Sequence, residues 1–296
     1  MCYTRSMILV THNDRFHADD VCSLAVLRIV FGDNIKQVIR TRDEEIIKSA
    51  DVVFDVGHIY DPDTNRFDHH QKESAGARDN GIPYASFGLV WKKFGKDICG
   101  SQLVADLIDK KMVQMIDASD NGVFPYVYSQ KDVKEYVLDT VCNSFGSTWK
   151  EEENYDKAFF EVVDIFEKII RREIKVAQDK SEAFPFVEEA YQNSQDKRII
   201  VLDEYYPWKE VLKKYSDIYF VISPTKEKDQ WRICTIQDEQ LHNKKSFPES
   251  WAGLRNEDLE QVTGVKGSKF CHRKLFLTVA NTKESALALA QKALEM

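Results

Sequence analysis

Five of the seven histidines of this 296-residue chain fall within its first 70 residues: His12, His17, His58, His69 and His70. Acidic residues stand beside most of them, namely Asp14, Asp19, Asp20, Asp55, Asp61 and Asp68. Imidazole and carboxylate together form the borderline-to-hard donor set of Mn²⁺, Zn²⁺ and Fe²⁺. The donors fall into groups: His12-x4-His17-x-Asp19, the isolated Asp55, and Asp68-His69-His70. A further group, Asp117-x-x-Asp120-Asn121-Gly122, lies downstream. Two divalent cations about 3.5–4 Å apart need roughly six to eight ligands and a bridging carboxylate. The first group offers three ligands from one short segment, and Asp55 is suited to bridge. A His pair beside an Asp offers a ligand, a phosphate contact and a carboxylate that orients an imidazole. One of Asp117 and Asp120 closes the set, and spacing leaves both open.

For these groups to meet, the backbone must bring distant segments together. Met7–Thr11 reads as a buried strand ending at His12, and apolar spacing predicts a helix over Asp19–Phe31, stopped by Gly32. Gln37–Arg40 and Val52–Asp55 read as further strands. Strand and helix alternating in this way predict an α/β fold with a parallel sheet. In such sheets ligands gather at the carboxyl ends of strands. His12 and Asp55 each fall at a predicted strand end. Residues 56–70 read as a hairpin turning at Asp61-Pro62-Asp63-Thr64-Asn65, with His58 a turn residue. The polar stretch 71–83 is expected as a mobile loop, and as a lid over a cleft between lobes. Ala85–Phe94, Ser101–Ser119 and the run from Asp132 to about Gln178 are expected to be helical, the last broken near Asn143–Ser147. From Arg198 a second α/β region follows: strands in RIIVLD, IYFVIS, WRICTIQ and KFCHRKLFLTVA, a helix from Trp208 and a final helix from Thr282.

The ordered groups resemble the MYG (melanocyte-proliferating gene) family of metal-dependent hydrolases and exonucleases, itself similar to the DHH phosphoesterases. The matching segments are THNDRFHADD at 11–20, DVVFDVGHIYDPDTNRFDHHQ at 51–71, SFGLVWKKFG at 86–95 and IDASDNGV at 116–123. FPESWAGLRNEDLEQVTGVKG at 247–267 and FCH at 270–272 extend the match to nearly the whole chain. The resemblance implies a DHH-like metal-binding catalytic domain over 1–125, a helical connector over 126–190 and a smaller C-terminal α/β substrate domain over 191–296. It implies that His12 and His17 bind a first metal, that Asp19 binds a second and that Asp55 bridges. Asp68 would orient, His69 would ligate, His70 would face the scissile phosphate and Asp120 would complete the second position, with Asp117 the competing ligand. The family tends to carry glycines after the FCH-type motif. Here Lys274, Thr278 and Val279 stand in their place, which moves substrate contact toward His272, Arg273 and Lys274.

Composition narrows the class. With 43% hydrophobic and 30% charged residues the chain can build a core and is not disordered overall. No apolar run approaches the roughly 18–20 residues of a membrane span, and MCYTRSMILVTHNDRFH is not a secretory signal. The net charge of -8 argues against gripping nucleic acid by bulk electrostatics. Positive charge must then be local: bound metal, or a basic run such as Lys266, Lys269, Arg273 and Lys274. Six scattered cysteines without a CxxC pair suit free thiols in a cytoplasmic protein rather than a zinc ribbon. The expected activity is a phosphoesterase using two divalent cations, Mn²⁺ favoured over Mg²⁺, Zn²⁺ or Fe²⁺. The resemblance implies RNA or a short oligonucleotide as the substrate, degraded from the 3′ end. The alternatives are hydrolysis of a small phosphate compound, such as pyrophosphate or a cyclic dinucleotide, and non-catalytic RNA binding. No membrane partner is expected, and a homodimer is left open.

Overall fold

The structure, a computed structural model, describes residues 6–123, 135–226, 229–238 and 242–296. The chain divides into two compact units, Met1–Gln178 and Asp179–Met296.

The first unit opens with β1 (Met7–Thr11), α1 (Ala18–Phe31), β2 (Ile35–Arg40), α2 (Glu44–Ser49) and β3 (Val52–Phe54). A short hairpin follows, β4 (Tyr60–Asp61) and β5 (Arg66–Phe67). The strands form one sheet in the order β2-β1-β3-β5-β4. Its pairs are parallel except the edge pair β4–β5, which the Asp61-to-Asn65 turn makes antiparallel. The sheet is therefore mixed rather than wholly parallel, because a hairpin this short can only reverse the chain.

Side chains alternate between the two faces of each strand. Leu9, Val52 and Phe54 enter the main core with α1 and α3 (Ser86–Cys99), while Val10 and Val53 pack against the smaller cluster over α2. α1 is apolar nearly all round and is accordingly buried along most of its length. Gly32 ends it with φ at 50°.

α4 (Gln102–Ile108) and α5 (Gln114–Asp120) are joined without a break by a π-helical turn over Asp109–Val113. α6 (Leu138–Asn143) and α7 (Tyr155–Glu182) follow, so the helical break spans 144–154, wider than expected. Phe159, Val162, Phe166 and Ile170 set the buried face of α7 into the first unit's core. The segment expected as a connector over 126–190 is thus divided between the two units, and its residues 126–134 lie outside the described ones.

Segment 71–83, expected as a mobile lid, is fastened. The Arg78 guanidinium donates to Asp109 and Asp117 at 2.7 Å each, and Tyr84 N–H donates to Gly76 O. A polar stretch looks the same in sequence whether its charges meet water or each other.

The second unit contains α8 (Phe184–Asn193), β6 (Ile199–Val201), α9 (Lys209–Leu212), β7 (Phe220–Pro224) and β8 (Trp231–Thr235). It closes with α10 (Asn256–Thr263), β9 (Ser268–Cys271), β10 (Leu277–Ala280) and α11 (Lys283–Glu295). The sheet order is β6-β7-β8-β10-β9, with only β6–β7 parallel. Phe220 and Ile222 face one core with Trp251 and Leu289, while Val221 faces the other with Trp208 and Val187. Thr282 caps α11 by accepting from Ser285 N–H. Among the described residues, no helix is long and apolar enough to cross a membrane, and Cys22, Cys99, Cys142, Cys234 and Cys271 are free thiols.

Candidate metal centre

The carboxyl ends of β1, β3 and β5 deliver His12, Asp55 and Asp68-His69-His70 to one side of the first sheet. α1 begins at the same side, and its first turn carries Asp19 and Asp20. Adjacent helical residues point about 100° apart, so the doublet serves two neighbourhoods. Asp20 meets His12 and Asp55, and Asp19 meets His69 and Asp120. A third cluster joins Asp55 to His69 and His70. In each cluster the candidate ligand atoms lie within 4.8 Å of one another.

Asp55 connects the groups through both of its oxygens. Oδ2 lies 3.1 Å from His12 Nε2, while Oδ1 lies 3.5 Å from His69 Nε2 and 3.6 Å from His70 Nδ1. Its backbone holds φ at 53°, an uncommon value outside glycine, and its N–H donates to Phe67 O on β5. This left-handed residue turns the chain from β3 into the centre. Burial opposes its charge, but the imidazoles of His12 and His69 beside it hold the carboxyl below its ordinary range.

Neighbouring groups fix the ligands. His12 Nδ1 pairs with Asn13 O at 2.9 Å, leaving Nε2 toward Asp20 and Asp55. Asp19 accepts from Ser86 and Phe87 N–H at 3.1 and 2.6 Å, at the positive end of α3. Asp68 is fully buried and accepts from His69 N–H, His70 N–H and His58 N–H. It also holds His70 Nδ1 at 2.7 Å. Burial works against its charge, yet the His70 and His58 hydrogen bonds hold its carboxyl low. The same Asp68 bond raises His70.

The donor set fits a divalent cation. Four carboxylates and three imidazoles converge, and Asp20 Oδ2 and His69 Nε2 are buried without an aligned hydrogen-bond partner. Buried polar atoms are rarely left so. Burial and the charges of Asp55 and Asp120 push the Asp19 carboxyl well above its ordinary range. Burial pushes Asp20 to about 7. A cation placed among them would favour the charged form of both carboxylates.

Not every expected ligand joins. His17 lies on the wall of the cavity with its ring 6.4 Å from that of His12, outside all three clusters. It precedes α1 on extended backbone, and Asp20 takes the place beside His12, because helical side chains lean back toward the N-terminus. Asp117 is fully buried but bonds Arg78 and accepts from Gly88 N–H at 2.9 Å, whereas Asp120 Oδ2 reaches His69 Nε2 at 3.1 Å. His58 takes φ 54° in the turn, and its N–H serves Asp68. His272, expected in a strand, instead opens the turn between β9 and β10, where Nδ1 accepts from Lys274 N–H. Arg273 and Lys274 are exposed on that turn.

Asp20, the N–H groups of Ser86 and Phe87, and the Arg78–Asp117 pair went unread in the sequence. Only the Asp19-Asp20 doublet in a helix's first turn signalled any of them. The donors open onto a cavity of about 540 Å³.

Residues 8–294 match the MYG1_exonuc family, described as Uncharacterised protein family (UPF0160). The chain is 31% identical to the MYG1 exonuclease of Homo sapiens, over 96% of this chain and 85% of the human protein. It is 30% identical to the MYG1 exonuclease of Bos taurus, over 96% and 84%. It is 27% identical to MYG1 protein C694.04c of Schizosaccharomyces pombe, over 97% of each. With His12, Asp55, Asp68 and His69 gathered in one place and the match running from end to end, the chain belongs to the MYG1 exonuclease family (UPF0160).

Proposed function

We propose that this chain is a metal-dependent phosphodiesterase that removes nucleotides from the 3′ end of RNA or short oligonucleotides, with two divalent cations at the centre. The observation that carries the reading is Asp55, whose two oxygens face separate imidazole-carboxylate clusters. The human and bovine relatives are named exonucleases, which supports a nuclease here. The order of the groups, three strand ends and then the end of α5, supports a DHH-like relationship. Mixed imidazole and carboxylate donors favour Mn²⁺.

His12, Asp20 and Asp55 would hold one cation, and Asp55, His69, Asp19 and Asp120 the other. Bound metal would acidify a water and neutralise charge on the phosphate. The chain's own residues do the positioning. Asp68 fixes His70 through Nδ1 and leaves Nε2 as the nitrogen open to a phosphate oxygen. The Asp68 bond favours the protonated ring, whose Nε2–H would donate to that oxygen as its charge grows. Ser86 and Phe87 N–H hold Asp19 in place, which spares reorganisation when substrate arrives. Arg273 and Lys274 serve as substrate contacts on the second unit.

The test is reconstitution. Protein stripped with EDTA is loaded with Mn²⁺, Zn²⁺ or Mg²⁺ and given RNA labelled at either end. Stepwise shortening from the 3′ end that is lost in Asp55→Asn is expected. Folded protein that takes up no divalent metal, or cuts no phosphodiester, overturns the reading. Cleavage confined to pyrophosphate or cyclic dinucleotides moves it to small phosphate compounds.

A further inference from the structure

Beside the cavity at the metal centre lies a second one of about 570 Å³. The two share Arg42, Val56, Gly57 and His58. Gly57 lies on the shared wall: φ is 96°, and a Cβ would lie 3.1 Å from Ile47 Cγ2. Only glycine follows this path at this distance. The second cavity's wall mixes the apolar side chains of Ile47, Val53, Val56 and Ile59, the last 54% exposed, with the Glu44 carboxylate, His58 and basic residues.

Three cations border this second cavity. Lys48 is engaged with Glu44 and Glu45 at 3.3 and 3.1 Å. Arg66 is engaged with the carbonyls of Ala50 and Thr64 at 2.8 and 3.0 Å. Arg42 is exposed at the shared rim and makes no hydrogen bond or ion pair with any described residue. Its donors match a phosphate bidentately. In a chain of net charge -8 this is local positive charge of the kind a polyanion needs.

We propose that the second cavity is a nucleotide subsite. It takes the nucleoside next to the scissile bond, its base against Ile47, Val56 and Ile59, and its outer phosphate on Arg42. The inference rests on the reading that a phosphodiester sits at the metal centre. It adds that the substrate extends at least one phosphate beyond the bond that is cut, so a single-phosphate compound leaves this subsite empty.

The test is the salt dependence of binding. A fluorescent, nuclease-resistant phosphorothioate hexanucleotide is titrated with the full chain in Mn²⁺ at several salt concentrations, and anisotropy gives Kd. Losing one phosphate contact lowers the slope of log Kd against log salt by about 0.7 for a single strand. That change is expected for Arg42→Ala, with the wild-type slope kept in Arg42→Lys. An unchanged slope in Arg42→Ala overturns the subsite, as does absence of binding by the wild type. Hydrolysis of the unmodified hexanucleotide, run in parallel, reports on the nuclease reading separately. Wild type that binds with an Arg42-dependent slope but never cleaves overturns the nuclease and not the subsite. Arg42 has no partner to lose among the described residues, and an unchanged melting temperature verifies that the variant folds.

Discussion

Loading the centre with metal is expected to release protons in a number that can be counted. In the metal-free chain, burial opposes a charge on His12, but the Asp55 hydrogen bond and the charges of Asp20 and Asp55 outweigh it. The group is raised from 6.5 to about 9. Burial likewise opposes a charge on His69, and Asp120 and Asp55 carry it to about 11. At about pH 7.5 both imidazoles hold a proton that a metal must displace. Filling the centre therefore releases about two protons from the histidines, and Asp20, raised to about 7, adds a fraction to that. Calorimetric titration of Mn²⁺ in buffers of different ionisation enthalpy gives the count directly. Fewer than one proton released refutes the reasoning, since the imidazoles are then neutral beforehand or never ligate. The same shift sets the stability of the metal-free fold. A histidine raised on folding contributes fully below its unfolded value of 6.5, and the contribution is lost as pH rises through about 9. For His12 that is about 3 kcal/mol at 1.36 kcal/mol per unit. The urea midpoint is expected to fall between these pH values without metal and to stay level with it.

Gly88→Ala drives a Cβ into the Asp117 carboxylate beside the N-terminus of α3 that holds Asp19. It is expected to weaken metal binding about 10- to 100-fold, and a metal titration of unchanged affinity refutes that link. Arg78→Met strands the buried Asp117 carboxylate, at a cost of about 3–5 kcal/mol in urea unfolding. Adding Asp117→Asn should recover part of that loss, and no recovery means the charge was not the cause. Asp68→Asn frees His70 while leaving the ligand set in place. It is expected to lower kcat about 10- to 100-fold at unchanged metal content by mass spectrometry. Wild-type kcat removes the orienting role.

Much of the first unit was legible because apolar periodicity and chain punctuation are local. MILVT before His12, VVF before Asp55 and the Pro62-containing turn each announce an element, and the donors sit just past them. What stayed hidden depends on direction in three dimensions. Asp117 and Asp120 differ by one helical turn, and only the packing of α5 decides that one meets Arg78 and the other His69. His17 and Asp20 compete for one place, and helix geometry decides it. Arg78 reads as one more charge in a polar loop until Asp109 and Asp117 come from 31 and 39 residues away. In the second unit the strands were legible, but the turn at His272 was not. The apolar run on either side of HRK conceals a reversal made with Leu275 at φ 57°.

The π-helical turn at Asp109–Val113 accommodates one residue more than a regular helix there, and each residue advances a helix by about 100°. Closing it into a regular helix without removing a residue would turn the side chains of α5 by about that angle, carrying Asp120 away from His69 and Asp117 away from Arg78 together. The spacing between α4 and α5 therefore works as a keyed joint. A variant that straightened it would keep both contacts only by losing one residue from the turn at the same time.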